Sequence, residues 1–184
     1  MGQLQRFYRH EHEWHTIAQQ LKLTPCPHCQ KVGTLNRHGK LYGCDECHPS
    51  NKTVRGRRLF CSNRNKHRRG CGRTFSVWQA DKIHRLSLTA GALWQFLLRV
   101  AAGTVIAASH ADSRRSDRTW QRLWKRFNLG QSPIRIALDK RCQPPQLPTS
   151  HRPADQTIAH LQAAFPQANC PITAFQHTLQ TFFV

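Results

Sequence analysis

The segment Cys26-Pro27-His28-Cys29 constrains this chain more than any other. Two cysteines three residues apart with a turn between them form a knuckle that aims both sulfurs at one point. A metal that takes such a knuckle needs four ligands in a tetrahedron, so a second pair must come from elsewhere in the chain. Two pairs are on offer. Cys44-Asp45-Glu46-Cys47 follows a pair of short strand-like runs, 32–37 and 40–42, that flank His38-Gly39. A hairpin turn at His38-Gly39 would fold this second CxxC back beside the first. The alternative is Cys61 with Cys71, the first ending the strand-like run Arg57-Arg58-Leu59-Phe60 and the second opening Gly72-Arg73-Thr74-Phe75-Ser76. Both pairs are geometrically possible, and spacing alone slightly favours Cys44 and Cys47.

Eight cysteines without a secretory leader point to metal ligands or thiols, not to a disulfide frame. The segment 1–7 has no apolar run of the secretory type, so the expected compartment is the cytoplasm, at the nucleoid. The most apolar stretch, 88–109, contains Gln95 and Arg99 and is broken at Gly103-Thr104, which argues against a membrane span. Charge then narrows the partners. Twenty-eight Lys and Arg against nine Asp and Glu give a formal net charge of +19, so most cations lack an acidic partner and call for a polyanion. No small-molecule substrate is expected, because no Gly-rich phosphate loop is present.

Periodicity divides the chain into five segments. Residues 1–24 predict a lead-in helix with Trp14, Ile17, Ala18 and Leu21 at helical spacing, ended by Thr24-Pro25. Residues 25–78 carry six of the eight cysteines and predict short strands around metal, including 54–60 and 74–78. Residues 79–142 turn helical. Thr89 caps a helix to about Ala102, a short helix runs 105–109, and Ser116 caps another, ended by Gly130. Pro133 opens a further helix to about Lys140. The four prolines of 143–153 predict a linker, and 154–184 two amphipathic helices at about 156–165 and 172–183. The fold class expected is α+β: a small metal ribbon, a helical region, then two C-terminal helices.

Two groups of cations are candidates for nucleic-acid contact. Between Lys52 and Arg73 lie Arg55, Arg57, Arg58, Arg64, Lys66, Arg68 and Arg69, with no acidic residue among them. Arginine predominates, which suits bidentate contact with phosphates and guanine edges. The second group sits in a possible helix-turn-helix made of 105–109, a turn at 110–115, and 116–128. There Arg118, Gln121 and Arg122 are placed to read bases, Arg114 and Arg115 to hold phosphates, and Lys125 and Arg126 lie opposite the stripe Trp120, Leu123, Trp124 and Phe127.

The combination Cys26-Pro-His-Cys29, Arg-Leu-Phe-Cys61 and Gly-Cys71-Gly-Arg-Thr-Phe-Ser76 resembles the zinc ribbon at the front of many bacterial insertion-sequence transposases and their DNA-binding accessory proteins. With the helices behind the ribbon, the likeness covers about 25–130. It implies Cys26, Cys29, Cys61 and Cys71 as ligands of one structural zinc, with a longer insert between Cys61 and Cys71 than is usual in that pattern. Cys44 and Cys47, with His48 or His67, would then form a second site or remain thiols. A closed four-thiolate site leaves no position for water or substrate, so this zinc folds the ribbon and does no chemistry.

Catalytic signatures are weak. His12-Glu13-Trp14-His15 is one residue short of HExxH. Behind the ribbon only Asp81, Asp112, Asp117, Asp139 and Asp155 remain to hold magnesium, and a catalytic domain of the usual size is not expected in this length. The expectation is therefore a non-catalytic, mobile-element-associated protein that binds DNA more than RNA. A divergent DNA-cleaving transposase using Asp112 or Asp139 and an RNA-binding ribbon are the rivals. A protein partner docked through the C-terminal helices, at 178–184, is a further possibility.

Overall fold

The computed structural model describes residues 3–64, 67, 69–106, 108–109, 115–146 and 152–184. They form two compact units, 1–82 and 83–184, in an α+β architecture.

The first unit is a four-stranded mixed sheet with one helix. Its elements are β1 (Phe7–Tyr8), α1 (Glu11–Gln20), β2 (Leu35–Cys44), β3 (Lys52–Cys61) and β4 (Thr74–Gln79), and the strand order is β1-β4-β3-β2. β2 and β4 run antiparallel to β3, and β1 adds to β4 in parallel. Helix α1 buries Trp14 and Ile17, and Leu21 follows just beyond its end, as the helical spacing predicts. These side chains share a core with Tyr8, Leu35, Leu59 and Val77 and with Cys26 and Cys61. The cysteines are thus part of the hydrophobic core, so filling their site and folding the unit are coupled.

The predicted turn at His38-Gly39 does not form. β2 runs straight through it, and Gly39, with φ of +120°, sits at a register shift between Arg37 and Gly39 against β3. A glycine inside a strand pattern marks a bulge as readily as a turn. The chain reverses instead at 45–51, where Asp45 organises the tip. Its Oδ1 accepts from the Cys47 and His48 amides at 2.9 and 3.0 Å, while the Asp45 and Asn51 amides donate to Asn51 O and His48 O. Moving the turn carries Cys44 and Cys47 to the far end of the hairpin.

The second unit has five helices among the described residues: α2 (Ala90–Ala101), α3 (Asp117–Leu129), α4 (Gln131–Asp139), α5 (Pro153–Ala164) and α6 (Pro171–Leu179). Thr89 caps α2 as expected, its hydroxyl accepting from the Ala92 amide at 3.2 Å. Leu93, Phe96, Leu97 and Val100 are buried on one face of α2, joined by Ala90 and Trp94. Ser116 stands at the N-cap of α3, but its hydroxyl pairs with Thr119 Oγ1 at 3.1 Å in place of a backbone amide. The short helix expected at 105–109 is not formed among the described residues, where Ser109 N donates to Val105 O at 3.0 Å in a turn; 107 and 110–114 lie outside them.

The C-terminal helices are built into this unit. α5 begins at Pro153, inside the stretch that the proline count assigns to a linker, because proline suits the first helical position. Arg152 pairs with Asp155 at 3.0 Å and also donates to Val100 O at 2.8 Å, tying the start of α5 to the end of α2. Beyond α6, Phe183 is 3% exposed and packs on Phe127 and Phe175 with ring centroids 5.9 and 5.5 Å away. Phe182 stacks on His84 at 4.3 Å. Phe183 is thus part of the helical core. Among the described residues no helix is long and apolar enough to cross a membrane.

Candidate metal centre

Four sulfurs come together in the first unit. Cys26 and Cys29 lie on the turn after α1, Cys61 is the last residue of β3, and Cys71 sits just before β4. Their ligand atoms all lie within 4.8 Å of one another. The Cys26–Cys71 and Cys29–Cys61 sulfur pairs are each 3.7 Å apart. A disulfide would need about 2.05 Å. A regular tetrahedron with metal–sulfur bonds of about 2.3 Å has edges of about 3.8 Å. The spacing is therefore that of four ligands converging on one point, and the group can hold one metal ion.

The backbone shapes the knuckle. Cys26 N donates to Lys31 O at 3.1 Å, and Gln30 N to Cys26 O at 2.9 Å. Amides also point at the sulfurs, His28 N at Cys26 Sγ (3.5 Å) and Cys71 N at Cys61 Sγ (3.3 Å). Such contacts orient thiolates and stabilise their charge. The four sulfurs do not share one environment. Burial pushes the Cys26 thiol up, whereas the Lys31 amide brings the more open Cys29 thiol down. A divalent ion would hold all four deprotonated, releasing protons as it binds.

The two ends of the insert between Cys61 and Cys71 are held together. Gly70 N donates to Ser62 O at 2.8 Å, Gly72 N to Cys61 O at 3.0 Å, and Cys61 N to Arg73 O at 2.9 Å. A side chain at Gly70 has no room, since its Cβ would stand 2.4 Å from Cys61 Sγ and 2.6 Å from Ser62 O. The ligand set implied by the ribbon resemblance is the one assembled here. The pair that spacing favours, Cys44 and Cys47, is exposed at the hairpin tip and takes no part.

The predicted cations divide sharply. Arg58, on β3, and Arg64, Arg69 and Arg73, which lie near Cys61 and Cys71 in the chain, are exposed, and Lys66 and Arg68 lie outside the described residues. Arg55 is only 6% exposed and lies across Gly43. Arg57, whose side chain is 13% exposed, pairs with Glu11 and stands over the Trp14 ring at 5.7 Å. Arg55 and Arg57 are therefore engaged within the first unit, unlike the exposed arginines that are also expected to meet phosphates. The acid that neutralises Arg57 comes from α1, far away in sequence. Sequence reasoning also passed over Lys31, Arg37 and Lys40, exposed on the knuckle and on β2. Their signal is membership of the same cysteine-rich segment.

In the helical unit, Arg118, Gln121, Arg122, Lys125 and Arg126 are exposed on α3, opposite the buried Trp120, Leu123 and Phe127. Arg115 is half-buried and donates to Ser87 O, while Arg114 lies outside the described residues. Among the described residues the carboxylates form no metal-binding group, and Asp112 lies outside them. Glu11 pairs with Arg57, Asp81 with Lys82 at 2.8 Å, Asp155 with Arg152, and Asp45 holds its turn. Among the described residues the four cysteines are the one group able to hold a metal. Compared with known proteins, the chain matches no family model, no curated protein and no solved structure.

Proposed function

We propose that this chain is a non-catalytic nucleic-acid-binding protein that takes duplex DNA in preference to RNA, and that a structural zinc in the Cys26–Cys29–Cys61–Cys71 site holds its binding loops. The observation that carries the reading is the coincidence of the tetrahedral sulfur cluster with the base of an arginine-rich loop. Cys61 and Cys71 are at once metal ligands and the two ends of the insert that presents Arg64 and Arg69. Four thiolates suit zinc, leave no open coordination position, and make metal affinity part of the folding free energy.

A chain of net charge +19 binds polyanions, and exposed arginines on a metal-stapled loop can meet phosphates without a large ordering cost. The exposed face of α3 offers a second set of contacts, with Arg118, Gln121 and Arg122 as base readers. The likeness of the cysteine motifs to insertion-sequence transposase ribbons supports a mobile-element setting.

The test is the salt dependence of duplex DNA binding by the full chain. Each lost phosphate contact should lower the slope of log affinity against log salt by about 0.9. Replacing Arg64, Arg69 and Arg73 together with alanine should therefore flatten it by about 2 to 3. An unchanged slope would remove the loop from the interface. Tighter binding to a structured RNA than to duplex DNA at the same salt would overturn the preference for DNA.

A further inference from the structure

Cys44 and Cys47 have no role in the centre described above, and their position is specific. They flank the tip of the β2–β3 hairpin, both exposed, with Cys44 opposite Lys52 in the register and Cys47 in the turn organised by Asp45. The other end of β2 pairs with the metal centre, Leu35 lying opposite Cys61. Nine strand steps separate Leu35 from Cys44, about 30 Å at about 3.3 Å per residue, so the tip is a separate location.

The tip is suited to a thiophilic cation and short of ligands for one. Two cysteines at CxxC spacing supply half of a tetrahedral site. Among the described residues no third cysteine, histidine or carboxylate ligand converges with them, although His48 is the next residue. The nearby Asp45 Oδ1 is occupied by two backbone amides and lies 3.9 Å from His48 Nδ1. The local charge also differs from the rest of the chain. No lysine or arginine occurs between Lys40 and Lys52, and Asp45 and Glu46 make the segment acidic. Lys52 stands opposite Cys44 and Arg55 packs across Gly43, but Arg64 and Arg69 follow the Cys61 end of the hairpin, well beyond screening of about 8 Å at physiological salt. Two copies can therefore approach tip to tip without their arginine-rich inserts meeting.

We propose that Cys44 and Cys47 of one chain and the same two residues of a second copy bind one zinc-class divalent cation between them, forming a metal-bridged dimer. The four thiols lose their protons to solvent as the ion binds, and no redox step is involved. The two Lys52 side chains beside the site offset part of the negative charge of the four thiolates. The inference does not depend on what the arginine-rich loop binds.

The experiment measures zinc content and solution mass of the full chain in a non-thiol reductant, beside the Cys44→Ser/Cys47→Ser variant. The wild type should hold about 1.5 zinc ions per chain and have the mass of two chains, since one ion is shared. The variant should hold about one ion per chain, run as a single chain, and keep the wild-type circular dichroism. A wild type with one ion that runs as a single chain would overturn the proposal. So would two ions on a single chain, or a dimer that survives the double substitution. Failure of the core centre shows as a Cys44→Ser/Cys47→Ser variant that holds no zinc, and failure of the tip as a wild type and a variant that both hold one ion, so the two give different results.

Discussion

Gly70→Ala offers the sharpest test of how the metal centre is built. The new methyl would lie 2.4 Å from Cys61 Sγ and 2.6 Å from Ser62 O, each about 1 Å inside ordinary contact. Neither neighbour is the end of a flexible side chain, one being a metal ligand and the other backbone. Either the sulfur or the loop base must therefore move by a substantial part of an ångström. Metal–sulfur bonds tolerate about 0.2 Å, so the strain appears as weaker metal binding. Overpacking of this kind costs about 1–3 kcal/mol, which corresponds to roughly a 5- to 150-fold loss of affinity. Competition against a chelating zinc indicator at fixed pH reads that loss directly, best in the Cys44→Ser/Cys47→Ser background. Gly91→Ala is the control, because a Cβ there meets nothing within 4 Å and alanine favours helix α2. Zinc affinity of Gly70→Ala within twofold of the parent would refute the packing of the insert against Cys61.

Two further substitutions separate structural from binding residues. Arg57→Ala should lower the stability of the first unit by about 1–2 kcal/mol, mainly through lost packing on Trp14, since Glu11 is half exposed and an open ion pair contributes little. Denaturant unfolding measures this, and the DNA salt slope should not change; a flatter slope with unaltered stability would return Arg57 to the interface. Phe183→Ala should cost the helical unit about 3–5 kcal/mol, because the ring is buried between Phe127 and Phe175. A loss below about 1 kcal/mol by the same measurement would show that the tail is not part of that core.

What was legible in the sequence was mostly local. Thr89 and the spacing of Leu93, Phe96, Leu97 and Val100 defined α2, because a cap and a 3.6-residue stripe act within one element. The cysteine motifs identified the ligand set only through their flanking residues, Arg-Leu-Phe before Cys61 and Gly-Arg-Thr-Phe-Ser after Cys71. Counting between cysteines pointed to Cys44 and Cys47, because it assumed a reversal at His38-Gly39, whereas the strand continues through a bulge there. Arg57 looked unpaired because its acid, Glu11, lies on another element. β1 went unseen because two residues carry no period, although Phe7 and Tyr8 are fully buried. The prolines of 143–153 read as a linker, but Pro153 is the first residue of α5.

The link between the metal and nucleic-acid binding is tested most directly by one measurement. Duplex DNA affinity of the full chain is measured at fixed salt before metal removal, after it, and after zinc is restored. With zinc held as a structural ion at Cys26, Cys29, Cys61 and Cys71, removal should unfold the first unit and reduce binding by at least about tenfold, and about one equivalent at the core site should restore both. A metal-free chain that binds DNA with undiminished affinity and the same salt slope would contradict the account.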